Sequence, residues 1–380
     1  MKTIRFGIIG CGLMGREFAS AAARWFHLDD LGVRPEIVAV CSRSEASIGW
    51  FTRNVPTVRR ATTDYRELLA APDVDAAYIA VPHDLHAEMY VAALRAGKHL
   101  LGEKPFGIDK SANASILAEA ARRPDLLVRS TSQYPFFPGA QRIAAMAGEG
   151  RFGRIMEVEC GLLHSSDLDP DKPINWKRTI ARNGEYGCMG DLGLHAVHMP
   201  LRLGLRPQNV RAVLSNIMPD RPDATGRRVP CETWDNAVLL CETSDGESSF
   251  PMIVRMHRIA PGESNTWYVT IRGTRASASF STKFPRTLEV LEYAPGGRQV
   301  WGREDLGYEP IYPAVTARPF EFGFGDSILQ MIAAYCDELA RGVGSDVPFR
   351  CATPEETRWS HEIFTAAVTS QREGRTVAVA

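Results

Sequence analysis

Two short stretches hold residues of the right type to move a proton and steady a negative charge. Glu103-Lys104-Pro105 sets a lysine on a stiff turn directly behind the apolar run 99–102, because proline fixes its own φ and restricts the residue before it. Gly190-Asp191-Leu192-Gly193-Leu194-His195 sets a carboxylate and an imidazole four residues apart, and in a helix such a pair shares one face. Histidine, with an unperturbed pKa of about 6.5, takes up or returns a proton near neutral pH. A neighbouring carboxylate orients the ring and stabilises its charged form, and a positioned ammonium stabilises a developing alkoxide. Each residue also has a plainer reading: a solvated loop lysine, a helix-capping aspartate, a core histidine.

For Lys104 to meet a ligand, the run before it must be a strand ending at a binding edge. Residues 1–130 offer that setting. Strand patterns at 4–9, 36–41, 75–81, 99–102 and 126–132 alternate with helical patterns at 13–24, after Ser44, and at 85–95; Ser44 is a candidate N-cap and Gly97 closes the third helix. Such alternation predicts a doubly wound parallel sheet, which binds ligands beyond the carboxyl ends of its strands. After a helix at 139–147 the period changes, with strands predicted at 154–163, 210–217, 234–243, 247–256, 266–272, 276–282 and 287–293. Ser244-Asp245-Gly246 and Gly273-Thr274 mark tight turns, so their neighbours are expected to pair as antiparallel hairpins. A helix at 191–203 carries Asp191 and His195; helices at 327–341 and 354–372 and a strand at 376–379 close the chain.

Gly10-Cys11-Gly12-Leu13-Met14-Gly15 is a G-x-G-x-x-G that follows the first strand and opens the first helix. Its glycines permit a tight turn, close approach of backbone to a pyrophosphate, and close helix packing, while the helix N-terminus offers N–H groups to the anion. The expected fold is therefore an N-terminal Rossmann domain, α/β, over 1–130. It is followed over 131–380 by an α+β domain for substrate binding and oligomerisation, built on a large, mainly antiparallel sheet, with helix 354–372 packing back on the first domain. At the end of the second strand an NAD enzyme usually carries Asp or Glu. Here Cys41 is followed by Ser42 and Arg43, which suit a 2′-phosphate: Ser42 as a hydrogen-bond donor, Arg43 as an ion-pairing or adenine-stacking group. NADP is the expected cofactor, with NAD the alternative if Glu45 contacts the ribose instead.

Composition narrows the class. With 380 residues the chain can hold two domains, and 44% hydrophobic and 23% charged residues are ordinary for a globular protein. A net charge of −1, without a basic block or acidic tail, speaks against nucleic acid or an anionic membrane as partner. The eight cysteines are scattered, without a C-x-x-C pair, and read as buried thiols of a reducing compartment. No signal peptide or spanning segment is recognisable, so a cytoplasmic location is expected.

Taken together, the glycine fingerprint near residue 10, Glu-Lys-Pro at 103–105 and Gly-Asp-x-x-x-His at 190–195 resemble the Gfo/Idh/MocA family of sugar and polyol oxidoreductases. Pro82-His83-Asp84-Leu85-His86 is similar to that family's Pro-x-x-x-His segment after the fourth strand. The resemblance spans essentially the whole chain and implies hydride exchange between a nicotinamide cofactor and a sugar, sugar lactone or polyol. It implies that Lys104 touches both the substrate hydroxyl and the nicotinamide ribose, that Asp191 and His195 form the acid/base pair, and that Pro82, His86 and Glu103 belong to the cofactor site. A cis Lys104–Pro105 bond is also compatible with it.

Weaker candidates surround these. Trp176, Lys177 and Arg178 precede the catalytic helix and could wall a substrate pocket; Gln133 and Tyr134 lie at the last Rossmann strand end; Tyr186 and His164 are comparable. His198 would complete an Asp/His/His set, but hydride transfer needs no metal and none is expected. The aromatics between Trp301 and Phe324 read as loop packing or subunit contact. A homodimer or homotetramer is expected. Two other functions share this fold: a glycoside hydrolase that oxidises its substrate transiently with a held nicotinamide, and a catalytically silent cofactor sensor. The hydrolase would show no net redox change, and the sensor would lack equivalents of Lys104 or His195.

Overall fold

The computed structural model of the chain describes residues 1–379; Ala380, the last residue of the expected second domain, lies outside them. Two compact units are present, Met1–Phe136 with Pro310–Thr357, and Phe137–Glu309 with the residues from Arg358 onward. The division thus differs from a single cut after residue 130. Residues 310–357 join the first unit because helix Phe324–Arg341 packs on helix Leu13–Ala23 and on the second strand.

In the first unit, strands β1 (Lys2–Ile9), β2 (Val33–Cys41), β3 (Arg60–Thr62), β4 (Ala76–Ile79), β5 (His99–Gly102) and β6 (Val128–Ser130) form one parallel sheet in the order β3-β2-β1-β4-β5-β6. That is the doubly wound order whose ligand crevice lies where β1 and β4 diverge. Side chains alternate between its faces. On one face Phe6 and Tyr78 meet Phe18 at 4.9 and 4.7 Å between ring centroids, and Phe6 meets Tyr335 at 5.9 Å. On the other, Ile9, Ile79 and Leu100 bury against Leu68, Tyr90, Leu94 and Ile116. Ser44 caps helix Glu45–Asn54, its hydroxyl accepting from the Ser47 amide at 3.3 Å. β3 is absent from the sequence reading because it has only three residues and none is buried.

The second unit is built on β7 (Ile155–His164), β8 (Arg206–Ser215), β9 (Asp220–Pro222), β10 (Arg228–Pro230), β11 (Asn236–Ser244), β12 (Ser249–His257), β13 (Ser264–Gly273), β14 (Ala276–Ser281), β15 (Thr287–Glu292), β16 (Gly302–Asp305) and β17 (Val377–Ala378). Nine of them form a sheet in the order β16-β15-β14-β13-β7-β12-β11-β8-β17, and β9 and β10 form a separate small hairpin. All neighbours in the large sheet are antiparallel except β7 and β12, which run parallel. The two expected hairpins, β11–β12 and β13–β14, are present.

One face of the sheet is apolar and covered. Cys160, Leu239, Val254 and Trp267 are among its buried residues, and helix Cys188–Arg202, itself buried along Cys188–Leu201, packs on β7, β11, β12 and β13. The Trp267 indole donates to the His195 carbonyl at 2.8 Å, which ties the helix to the sheet at the residue of interest. Gly193 faces Phe364 so closely that a Cβ would lie 2.2 Å from the ring. The opposite face leaves Val213, Val238 and Leu240 exposed; Val213 and Val238 are direct cross-strand partners. Within 301–324, expected as loop packing or contact, Tyr308, Tyr312 and Phe322 are buried while Trp301 and Phe320 are exposed, and 302–305 adds the edge strand β16.

Candidate active site

The glycine turn of the first unit has the form a dinucleotide needs. Gly10 has φ +105°, and a Cβ there would lie 2.1 Å from the Ala80 carbonyl oxygen; a Cβ on Gly15 would lie 2.3 Å from the Gly10 carbonyl oxygen. Both glycines are thus required by the protein's own packing. Gly12 is different: a Cβ there would meet nothing within 4 Å. The protein does not fill that space, which leaves room there for close approach of a ligand to the backbone. Gly12 also N-caps helix Leu13–Ala23 with no side-chain capping bond, so the first-turn N–H groups remain available to an anion. Leu13 is exposed and Met14 half-buried. Cys11 is buried with Sγ 3.6 Å from the Cys41 carbonyl oxygen, and burial pushes its thiol up to about 12, which leaves backbone as its contribution to a ligand. Beyond β2, Ser42 is half-buried, and Arg43 is exposed with no ion pair among the described residues.

Lys104 sits on a turn fixed from three sides. The buried Glu103 carboxylate accepts from the Tyr78 hydroxyl at 2.7 Å and from the Lys104 amide at 3.3 Å, while the Tyr90 hydroxyl donates to the Glu103 carbonyl at 2.6 Å. The Lys104–Pro105 peptide is cis. The ring nitrogens of His86 lie 2.7 Å from the Pro105 carbonyl oxygen and 2.9 Å from that of Val81, just before Pro82 and the single turn His83–Leu85. Burial pushes His86 down to about 4, against the pull of the two carbonyl oxygens, which favour the charged ring. This corrects the expectation of a cofactor contact from His86. The ring is fully buried and both nitrogens face main chain, so it fastens the Lys104 turn to the end of β4. Lys104 itself is half-buried. Gln133 and Tyr134 follow β6 and are buried, Tyr134 packing 6.4 Å from Phe324.

In the second unit Asp191 and His195 lie one helical turn apart, both buried. The Asp191 carboxylate receives the Lys177 ammonium at 2.9 and 3.0 Å and the Arg258 guanidinium through Nη1. Arg258 donates its Nε–H to Asp167 at 2.6 Å; the same carboxylate takes Arg178 at 2.6 Å and Lys172 at 2.9 Å. Arg178 continues to Asp235, whose second oxygen accepts the Ile217 and Met218 amides, each at 2.7 Å. The result is an alternating chain of charges, Lys177–Asp191–Arg258–Asp167–Arg178–Asp235. Burial alone would raise the Asp167 carboxyl; Arg258, Arg178 and Lys172 outweigh it and hold the group well below the usual carboxylate range.

The structure sorts the weaker candidates. Lys177 and Trp176 are half-buried, with the ammonium 5.6 Å from the indole centroid. Arg178 is a correction: it has no exposed surface and spends its guanidinium on Asp167 and Asp235, so it braces the interior and walls no pocket. Tyr186 is also turned inward, its hydroxyl bonded to the His361 carbonyl and the Thr365 hydroxyl. His198 is buried beside Arg202 at 3.0 Å, and His164 is half-buried at the end of β7. Arg258, Asp167 and Asp235 were not anticipated. Their only local signal is that Arg258 directly follows an apolar strand, where a charge must find a partner or solvent.

A glycine turn opening a helix in a parallel sheet, together with a lysine turn at a neighbouring strand end, defines a dinucleotide-dependent oxidoreductase. Residues 4–131 match the oxidoreductase family with NAD-binding Rossmann fold, and residues 140–279 match the GFO/IDH/MocA C-terminal domain. The chain belongs to the GFO/IDH/MocA family and is an oxidoreductase acting on CH–OH groups. It is 27% identical over 316 residues, 76% of each chain, to levoglucosan dehydrogenase of Pseudarthrobacter phenanthrenivorans. It is 33% identical over 212 residues, 56% of this chain and 59% of the other, to dTDP-3,4-didehydro-2,6-dideoxy-alpha-D-glucose 3-reductase of Actinomadura kijaniata. Among solved structures, levoglucosan dehydrogenase in complex with NADH and L-sorbose has the same fold, with a TM-score of 0.89 at 24% identity over the whole of both chains.

The ion chain makes stability depend on pH. Asp167 is held low in the folded state, so near pH 4 the folded protein binds fewer protons than the unfolded chain. Its contribution is complete above that range and is lost as pH falls through it. Asp167→Asn leaves two buried guanidinium groups short of an anion and should cost roughly 3–5 kcal/mol at pH 7, with a flatter stability curve on the acid side. Urea unfolding from pH 3.5 to 8 measures both, and an unchanged neutral-pH midpoint would refute this account.

Proposed function

We propose that this enzyme exchanges a hydride between NADP, used in preference to NAD, and a hydroxyl or carbonyl of a sugar, sugar lactone or polyol. The observation that carries the reading is Asp191, a buried carboxylate held by two cations one helical turn before His195. The names of the relatives support a carbohydrate: one is a levoglucosan dehydrogenase and another a sugar-nucleotide reductase. Trp176 and Lys177 supply an aromatic face with a donor beside it, a combination that suits a sugar ring.

When bound, the nicotinamide takes up or gives back the hydride of the carbinol carbon. In oxidation His195 accepts the hydroxyl proton, and Asp191 orients the ring and stabilises its cation. Lys104 stabilises the developing alkoxide, its turn fixed by Glu103 and His86. In reduction His195, or Lys104, returns the proton. Gly10 to Gly15 hold the pyrophosphate through backbone, and Ser42 with Arg43 binds the 2′-phosphate. The exposed, unpaired state of Arg43 supports NADP, since an arginine already spent on a carboxylate would be of little use there.

The location proposed is the cytoplasm. All eight cysteines are buried and free, and no helix among the described residues is long and apolar enough to cross a membrane. The exposed strip Val213, Val238 and Leu240 is assigned to contact between copies of the chain in a homodimer or homotetramer. Sedimentation of a single 41.9 kDa species at micromolar concentration would reject that assignment.

Cofactor absorbance in both directions, with monosaccharides, lactones and inositols, tests the activity; no change with any of them defeats the reading. On the active substrate, Lys104→Ala and His195→Ala should each lower kcat by about 10²–10⁴-fold while cofactor affinity, read by fluorescence, shifts little. Arg43→Ala should weaken NADP by roughly ten- to a hundredfold, the equivalent of one charge-assisted bond, and leave NAD nearly unchanged. Equal losses for both cofactors would point away from the 2′-phosphate.

A further inference from the structure

We infer that Arg258, backed by Asp167, is a positioning residue for the reaction: it acts through Asp191, setting the direction and charge of that carboxylate for His195. The inference rests on the acid/base reading of Asp191 and His195 given above. Arg258 lies directly after β12, far in sequence from both residues, and its side chain is 9% exposed. Its two bonding edges serve two carboxylates, Nη1 on Asp191 and Nε on Asp167. A guanidinium held in a fork by two anions has one orientation, and an ammonium in its place would keep the charge and lose the fork. Asp167 cannot swing away either, because Arg178 and Lys172 occupy it from the other sides.

The geometry divides the two cations on Asp191 by task. Lys177, with 29% of its side chain exposed, is the member that reaches solvent, whereas Arg258 approaches from the interior. A substrate hydroxyl that recruits Lys177 would therefore leave Asp191 still charged and still aimed, because Arg258 stays. Besides the members of the ion chain, titratable groups on the helix of Asp191 include Cys188, His195, His198 and Arg202, and those on the strands packed against it include Cys160 and His164 of β7, Cys241 of β11 and His257 of β12.

Arg258→Lys and Arg258→Met, with Asp191→Asn and the two double variants, test the inference. If Arg258 acts through Asp191, Arg258→Met lowers kcat at least tenfold with KM little changed and moves the acid limb of kcat/KM to higher pH. Arg258→Lys recovers part of kcat, and in the Asp191→Asn background neither change at 258 costs much more. A purely structural arginine would instead lower the unfolding midpoint, leave the pH profile in place, and add its loss to that of Asp191→Asn; that outcome overturns the inference. A second readout needs no substrate: the side-chain carboxyl 13C resonance of Asp191, identified by its absence in Asp191→Asn, should titrate at higher pH in Arg258→Lys than in the parent. If the parent turns over no carbohydrate, the functional reading fails while this resonance still decides the role of Arg258. An unmoved resonance with intact turnover of the parent rejects Arg258 alone.

Discussion

A carboxylate with no exposed surface must be paired or protonated, and Asp167 organises the second unit around that requirement. The effective penalty for burying an ion is several kcal/mol, so Asp167 draws three cations from separate segments: Lys172 from its own loop, Arg178 from the turn before the buried helix, and Arg258 from the end of β12. Each guanidinium then has a second edge to satisfy. Arg178 finds Asp235, which in turn takes up two loop amides, and Arg258 finds Asp191. Loops with no secondary structure to hold them are thus set by charge pairing, and the candidate catalytic carboxylate is the last carboxylate at one end of the series, with only Lys177 beyond it.

The first unit fixes its candidate lysine, Lys104, by other means. Around Lys104 the work is done by the buried Glu103 carboxylate, two tyrosine hydroxyls, one histidine ring and main-chain groups. Tyr78 holds the Glu103 side chain, Tyr90 and His86 hold backbone, and backbone positions the lysine. The contrast suits the tasks assigned to the two groups. The lysine must present a charge at one place, while a carboxylate supporting a base must keep its charge as the base gains and loses a proton.

Features carried by neighbouring residues were legible in the sequence. The Gly10–Gly15 turn, the Ser44 cap, the two hairpins and the placement of Asp191 and His195 one turn apart on one helix all depend on spacing within about a dozen residues, and the structure contains them all. What stayed hidden depends on partners far apart in the chain. Arg178 looks like a polar loop residue until Asp167 and Asp235 are known to flank it. His86 looks like a ligand contact until Val81 and Pro105 close over both nitrogens. The ion pair between Arg258 and Asp191 joins residues 67 positions apart, and no local periodicity encodes such a contact. Short exposed elements were lost for a related reason: β3 and β10 have no buried residues, so hydrophobic pattern had nothing to report.

The placement of β7 has a consequence for how the chain is made. This strand, the first of the second unit to leave the ribosome, sits between β12 and β13, both about a hundred residues later. Its two edges therefore stay unpaired until most of the unit has been synthesised, and its loop-closure entropy is met only late. A long strand waiting in that state is open to pairing with other chains. Two details of its composition blunt the hazard. Glu157 and Glu159 carry charge on the face opposite the core, and Gly161 interrupts the apolar run that would otherwise extend from Cys160 to Leu163. The same strand that anchors the finished sheet is thus written, residue by residue, to be a poor template while it waits.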